Sequence, residues 1–532
     1  MRSSRHSFQP ILTARTLGAN TTNRPQSMNP PFDVIVAGGG GSGLAAALSA
    51  AESGARVLLL EKNPRLGGTT GIAIGSFTGN RTALQQSAGI NDDPAEHNHD
   101  AGLFAPASIE ARNNDAMRQF FLEQTADTFD WLNQLGLRFY GPSPEPPNRV
   151  PRMHNVVPNA KAYIATLQAA LLRRGGTIWC NATVQDLIVE NGSVTGVHVM
   201  RDGTTQSVKA TRGVILATGD YANSPEMIAR FKGKDFADVE GINTTATGDG
   251  HLLAEQAGAE LVNMDVTYGP EIRFVPPPRK NITQLLPASG PLARLMGALM
   301  PLVPQFLVNS LIRRLLVTWQ HPEDSLFADG AILVNARGER FCNELDSPAR
   351  EIAIAQQPDK QAYLLLDARL AASYSAWPKF ISTAPKIAYA YVDDYLRLRP
   401  DVACTAATLA EVAGKRQLPA DALQQTVDDF NQSARQGQPD QWGRTTDSPA
   451  LTGDRWVLLG PARAYFTTTE GGAMVNPQMQ VLTSAGEPIP GLFAVGQVGL
   501  AGMILWGHGL HIAWALTSGR IAGHAVMASQ SE

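Results

Sequence analysis

Residues 32–38, FDVIVAG, form an unbroken apolar run that ends in glycine, the pattern of a strand buried on both faces. Residues 42–53, SGLAAALSAAES, are rich in Ala and Leu and stop at Gly54, which predicts a buried helix. RVLLLE at 56–61 repeats the strand pattern, completing a strand–helix–strand unit of about 30 residues. A second helix is predicted over 162–176, followed by alternating positions over 177–203 that read as a small antiparallel sheet. The pair Asn191-Gly192 marks its hairpin turn. RGVILATGD (212–220) and GLFAVG (491–496) are further buried strands, and the chain closes on a helix from His511. Between about 265 and 460 the pattern changes to Pro, Arg and aromatic residues with helical pieces, which predicts a second lobe. The most apolar stretch, 285–317, is broken by Pro301 and Pro304. Its charge-free part, about 16 residues, is too short for a confident membrane span; it reads as a packed helix pair or as a peripheral membrane contact.

A chain of 532 residues exceeds one hydrophobic core, and 43% hydrophobic with 17% charged residues is globular composition. The net charge of −4 makes nucleic acid an unsuitable partner. That charge is uneven: residues 1–32 carry Arg2, Arg5, Arg15 and Arg24 without an acid, so the remainder carries −8. This basic leader reads as disordered or as preceding a true start at Met28, with a transit peptide as the alternative. Cys180, Cys342 and Cys404 lie far apart and form no disulfide framework, zinc, iron–sulfur or haem pattern, and no metal is expected. A reducing, cytoplasmic location is the expectation.

The loop between the first strand and helix carries the chemistry. Gly38-Gly39-Gly40-Gly41-Ser42-Gly43 satisfies G-x-G-x-x-G at the place where a dinucleotide pyrophosphate meets a helix N-terminus. Glu61 ends the second strand, where a carboxylate accepts ribose hydroxyls. Lys62 follows, then the loop Gly67-Gly68-Thr69-Thr70, with backbone amides and hydroxyls for the middle of a long cofactor. Ala217-Thr218-Gly219 and Gly496-Gln497 end two more strands. Contacts returning so late in the chain suit FAD, which is longer than NAD.

Taken in order, VIVAGGGGSGLAAALSAAESGARVLLLEKNPRLGGTT, GVILATGD, TGDGHLLAEQAGAEL, GAILVNARGERFCNE, TEGGAMVNPQMQVLTSAGEPIPGLFAVGQ and TSGRIAG resemble the fumarate reductase/succinate dehydrogenase flavoprotein superfamily, which includes the 3-ketosteroid dehydrogenases. The resemblance implies an α/β protein: a Rossmann-type FAD-binding domain built from 33–255 and 464–528, with an α+β cap at 256–463 inserted. It adds Val184, Asp249, His511 and Ile512 to the cofactor contacts. No His stands between 62 and 80, where the succinate dehydrogenases attach flavin, so non-covalent FAD is expected. With one dinucleotide fingerprint, electrons must be exchanged with an external acceptor. The family's dicarboxylate-binding His is missing before Thr469-Glu470-Gly471-Gly472, and Trp506 stands where its proton-donating Arg belongs. Fumarate chemistry is therefore disfavoured. The candidates for catalysis are Tyr268, His508, His511, Gly509 and Tyr391. The expected reaction introduces or reduces a C=C bond beside a ketone of a hydrophobic cyclic substrate. An enzyme of unsaturated carboxylic acids, or a flavoprotein subunit of a larger redox complex, is the alternative.

Overall fold

The computed structural model describes residues 32–278, 286–304, 312–318, 320–384, 386–445 and 449–528. Apart from Phe32, the basic leader lies outside them, as do parts of the apolar stretch 285–317. The first sheet is built as the apolar runs require. Strands Pro488–Ala494, Thr204–Leu216, Phe32–Ala37, Val57–Leu60 and Thr177–Trp179 lie side by side and parallel. Gln480–Leu482 adds an antiparallel edge. The hairpin Ala182–Glu190/Ser193–Arg201 turns at Asn191 and Gly192, both at positive φ, and leads onto the long strand Thr204–Leu216. One difference from the sequence pattern is Thr177–Trp179. It joins the parallel sheet through Val57–Leu60 instead of opening the antiparallel one.

The helix Gly41–Glu52 is buried over all but its last residue. Its small residues make this tolerable, because the final helix Leu510–Ala528 lies directly against it. A methyl on Gly519 would sit 2.3 Å from the Ser42 carbonyl oxygen, and one on Gly523 would sit 2.4 Å from that of Ala46. Glycines four apart thus let two backbones meet.

A second sheet surrounds the eleven-residue strand Trp456–Phe466 and takes in Glu240–Gly241, Glu271–Phe274, Ala362–Leu366, Ala403–Ala406 and Ile332–Val334. It has its own core, including Phe327, Leu364, Tyr395 and Leu458. Beneath that core Glu344 is fully buried and bonded by both Arg340 and Arg444, while Arg340 also pairs with Asp440. Such a buried network is fixed by matched charges and serves the fold. Between Gly68 and Ala160, where the pattern predicts no elements, short helices pack beside a three-stranded sheet of Ser76–Thr78, Met153–Val157 and Arg138–Ser143.

Candidate active site

A cavity of about 310 Å³ runs from the glycine loop to residues 506–509. Gly38, Gly40, Gly41, Ser42, Glu61, Lys62, Gly68, Thr69, Thr70, Val184, Ala217, Thr218, Gly219, Asp249, Gly496, Gln497, His511 and Ile512 all line it. Of the expected cofactor residues, Gly43 and Gly67 do not. Gly43 instead brings helix onto strand, since a methyl there would lie 1.9 Å from the Gly38 carbonyl oxygen. Gly67 caps the short helix Gly68–Ile72.

This end of the cavity fits FAD. The helix Gly41–Glu52 starts without a side-chain cap and without an acid in its first turn, so its free amides and dipole face an open wall. A methyl on Gly40 would meet nothing nearer than 3.9 Å, so the space beside that amide is cavity and not protein. Glu61 is buried and oriented by three donors: Gly39 N–H, Asn63 N–H and the Asn63 side-chain amide, each at 2.8 Å. Its remaining lone pairs suit ribose hydroxyls. Lys62 is not a spare cation, because its Nζ lies 2.9 Å from Asp249 and donates to Thr247 Oγ1. Gln497 donates to Thr468 Oγ1 at 2.7 Å and to the Thr469 carbonyl at 2.9 Å. Thr468 in turn donates to Asp220 at 2.9 Å, a buried carboxyl that burial pushes above its ordinary pKa.

The other end is built from side chains. Tyr268, Arg273, Gln320, Thr467, Trp506, Gly507, His508 and Gly509 line it. His508 Nδ1 donates to Glu145 Oε1 at 2.5 Å, and its backbone N–H donates to the same oxygen at 2.9 Å. Half of the His508 side chain faces the cavity and Glu145 is buried. Burial opposes charge on the imidazole, but the hydrogen bond and charge of Glu145 prevail and raise its pKa. Nε2 is left for the cavity. The Tyr268 ring packs edge-on to Trp506 with centroids 5.3 Å apart, and burial pushes its phenol well above the ordinary value. No described residue bonds its hydroxyl. The Trp506 indole N–H is likewise buried without a partner among the described residues. Gly507 and Gly509 amides make no bond among the described residues, which leaves them available to a ligand.

His511 faces the same cavity, but its Nε2 lies 2.9 Å from Glu470, a fully buried carboxylate that also accepts the Leu505 N–H. Tyr391 is not brought to the site. It stands at the start of the helix Val392–Leu398, its N–H donating to Asp394.

Two residues at the site lay outside the expected set. Glu145 lies in Ser-Pro-Glu-Pro-Pro, 363 positions before its partner; a lone acid among prolines was the one available signal. Arg273, five residues after Tyr268, is held 2.7 Å from Glu271 and donates to Thr467 at 3.1 Å. The loop carrying Glu145 is anchored from below. Arg152 donates to Asn148 in that loop and is clamped between Asp92 and Asp100, and the side chains of Arg152, Asp92 and Asp100 are buried. Beside this cluster His97 and His154 are buried, and desolvation drops their pKa values to about 3 and about 4.

The model of the FAD binding domain family matches residues 33–509. The chain belongs to that family, within the fumarate reductase/succinate dehydrogenase flavoproteins, and is an FAD-dependent oxidoreductase. It is 25% identical to the NADH:fumarate oxidoreductase of Klebsiella pneumoniae over 93% of its own length, and spans 47% of that protein. It is 26% identical to the 3-oxosteroid 1-dehydrogenase of Mycobacterium tuberculosis, covering 92% of this chain and 97% of that one. The open conformation of a flavocytochrome c3 fumarate reductase superposes with a TM-score of 0.68 at 26% identity, over 94% of this chain and 79% of that one.

Proposed function

We propose that this enzyme transfers hydride between FAD and a C–C bond beside the ketone of a hydrophobic cyclic substrate, of the ketosteroid or cyclohexanone kind, held beneath the cap 256–463. One observation carries the ketone over a dicarboxylate. Every basic side chain among the described residues lining the cavity is matched to an acid: Lys62 to Asp249, Arg273 to Glu271, His508 to Glu145 and His511 to Glu470. A dianion entering that wall meets no unmatched positive charge among the described residues, whereas a neutral carbonyl needs only donors. Tyr268 supplies one, since its phenol stays protonated. Bound FAD supplies the two-electron chemistry, taking up or giving out hydride.

His508 moves the proton. Glu145 raises its pKa and so favours the protonated ring, whose Nε2 delivers a proton to the carbon beside the carbonyl during saturation of the double bond. In the reverse direction the same nitrogen receives that proton. Tyr268 O–H donates to the carbonyl oxygen and stabilises the enolate-like charge that develops there. Trp506, where the fumarate reductases of the family would use an arginine, offers an apolar face to a ring. Three cysteines without partners suit a cytoplasmic enzyme that passes electrons to an external acceptor.

Arg273 on the cavity wall, with relatives named for fumarate and acrylate, supports a second reading: an unsaturated monocarboxylic acid. Flavin absorbance separates the two. A saturated cyclic ketone should bleach the oxidised protein under anaerobic conditions, and its enone should reoxidise the reduced one. Reoxidation by an unsaturated acid and by no ketone would replace the first reading with the second.

A further inference from the structure

The most apolar stretch of the chain leaves part of its apolar side in solvent. In the helix Pro291–Leu299 and the turn Met300–Leu302 that continues it, Ala293 is buried. Leu292, Leu295, Leu299 and Leu302 instead expose 55, 53, 48 and 77% of their surface. Steps of three, four and three residues place these leucines in one ridge along the helix. A contiguous exposed apolar patch marks a contact with protein or lipid.

Charge decides between them. From Phe274 to Pro322 the sequence holds Arg279, Lys280, Arg294, Arg313 and Arg314 and neither Asp nor Glu, in a chain whose net charge is negative. Arg313 and Arg314 are exposed on the helical segment 312–318. Arg138, also exposed, lies against the leucine helix at Gly297, where a methyl would come within 2.5 Å of its Cβ. A leucine ridge beside Arg138, in a segment rich in arginine and without an acid, matches the interface of a bilayer with anionic headgroups. No helix of the described residues is long and apolar enough to cross a membrane, so the contact is one of lying on the surface.

The ridge also stands beside the cavity. Its helix packs on the strands Arg138–Ser143 and Met153–Val157, and the latter pairs with Ser76–Thr78. Just before that strand, Ile72 and Ile74 line the cavity while keeping about two fifths of their surface exposed. We infer that residues 291–302 seat this enzyme on an anionic membrane surface, next to the apolar wall of its own cavity. An apolar ligand dissolved in the bilayer then has a short apolar route to the site. Surface binding itself does not depend on the reaction proposed above.

The test uses the full chain loaded with FAD and sedimented with vesicles of phosphatidylcholine alone or with about one third phosphatidylglycerol. Binding to the anionic vesicles, weakened by salt, is expected. Leu295→Glu and Leu302→Glu should each lower the partition coefficient at least about tenfold with FAD absorbance unchanged, since both sites are exposed. Arg313→Glu with Arg314→Glu should remove the preference for anionic vesicles. Protein that stays in the supernatant with both vesicles overturns the inference, as does Leu295→Glu protein that binds like the parent. Absence of vesicle binding together with a dimer that Leu302→Glu dissolves would assign the ridge to self-association instead.

Discussion

The two ends of the cavity are made differently. The cofactor end is made of backbone: glycines, a helix N-terminus and the edges of parallel strands, with Glu61 only 23 positions from Gly38. The opposite end is made of side chains from remote segments, with Glu145, Tyr268 and His508 converging from three parts of the chain. Backbone sites are defined by where a side chain cannot go, and side-chain sites by which charge meets which. The first should therefore fail through added volume, and the second through lost or altered charge with the fold kept.

Gly43→Val is expected to have the largest effect. Overpacking against Gly38 carbonyl oxygen should cost about 3 kcal/mol or more and leave apoprotein, measured by melting temperature and flavin content. Gly40→Val sharpens the contrast, because its side chain would point into free cavity. It should keep a near-parent melting temperature as apoprotein while losing FAD affinity about a hundredfold, read by flavin titration. At the other end His508→Ala should retain FAD and lose turnover by about a thousandfold, and retention of turnover would remove His508 from catalysis. Tyr268→Phe should lower kcat about a hundredfold with little change in flavin binding.

Glu145→Gln should have a smaller effect on rate, about tenfold, but a diagnostic one on pH. The carboxylate raises the His508 pKa above its ordinary 6.5, so the pair's stabilisation is complete below that value and lost as pH rises through the folded pKa. Removing the acid should move the alkaline limb of the rate profile to lower pH. The buried histidines beneath the Glu145 loop act with the opposite sign. His97 and His154 stay neutral with folded pKa values of about 3 and about 4, so stability present above 6.5 is lost as pH falls through that window. His97→Gln should flatten part of that acid loss in a denaturation series.

Tyr391 shows where local pattern stops. It lies in an aromatic-rich run that looks chemically competent, yet it starts a helix in the second lobe and does not line the cavity. His511 looks equivalent to His508 in sequence, three positions away, but each meets a different buried carboxylate.

The sequence by itself determined the parallel sheet, the glycine loop, the acid that ends the second strand and the two long helices of the FAD half. Each of these depends on spacing within a few tens of residues, where chain geometry leaves few alternatives. Only the tertiary structure decided that Glu145 meets His508 from 363 positions away and raises its pKa, and that the leucines of 292–302 remain in solvent. Charge pairing and exposure are set by which segments meet after folding, and hundreds of intervening residues carry no local trace of it.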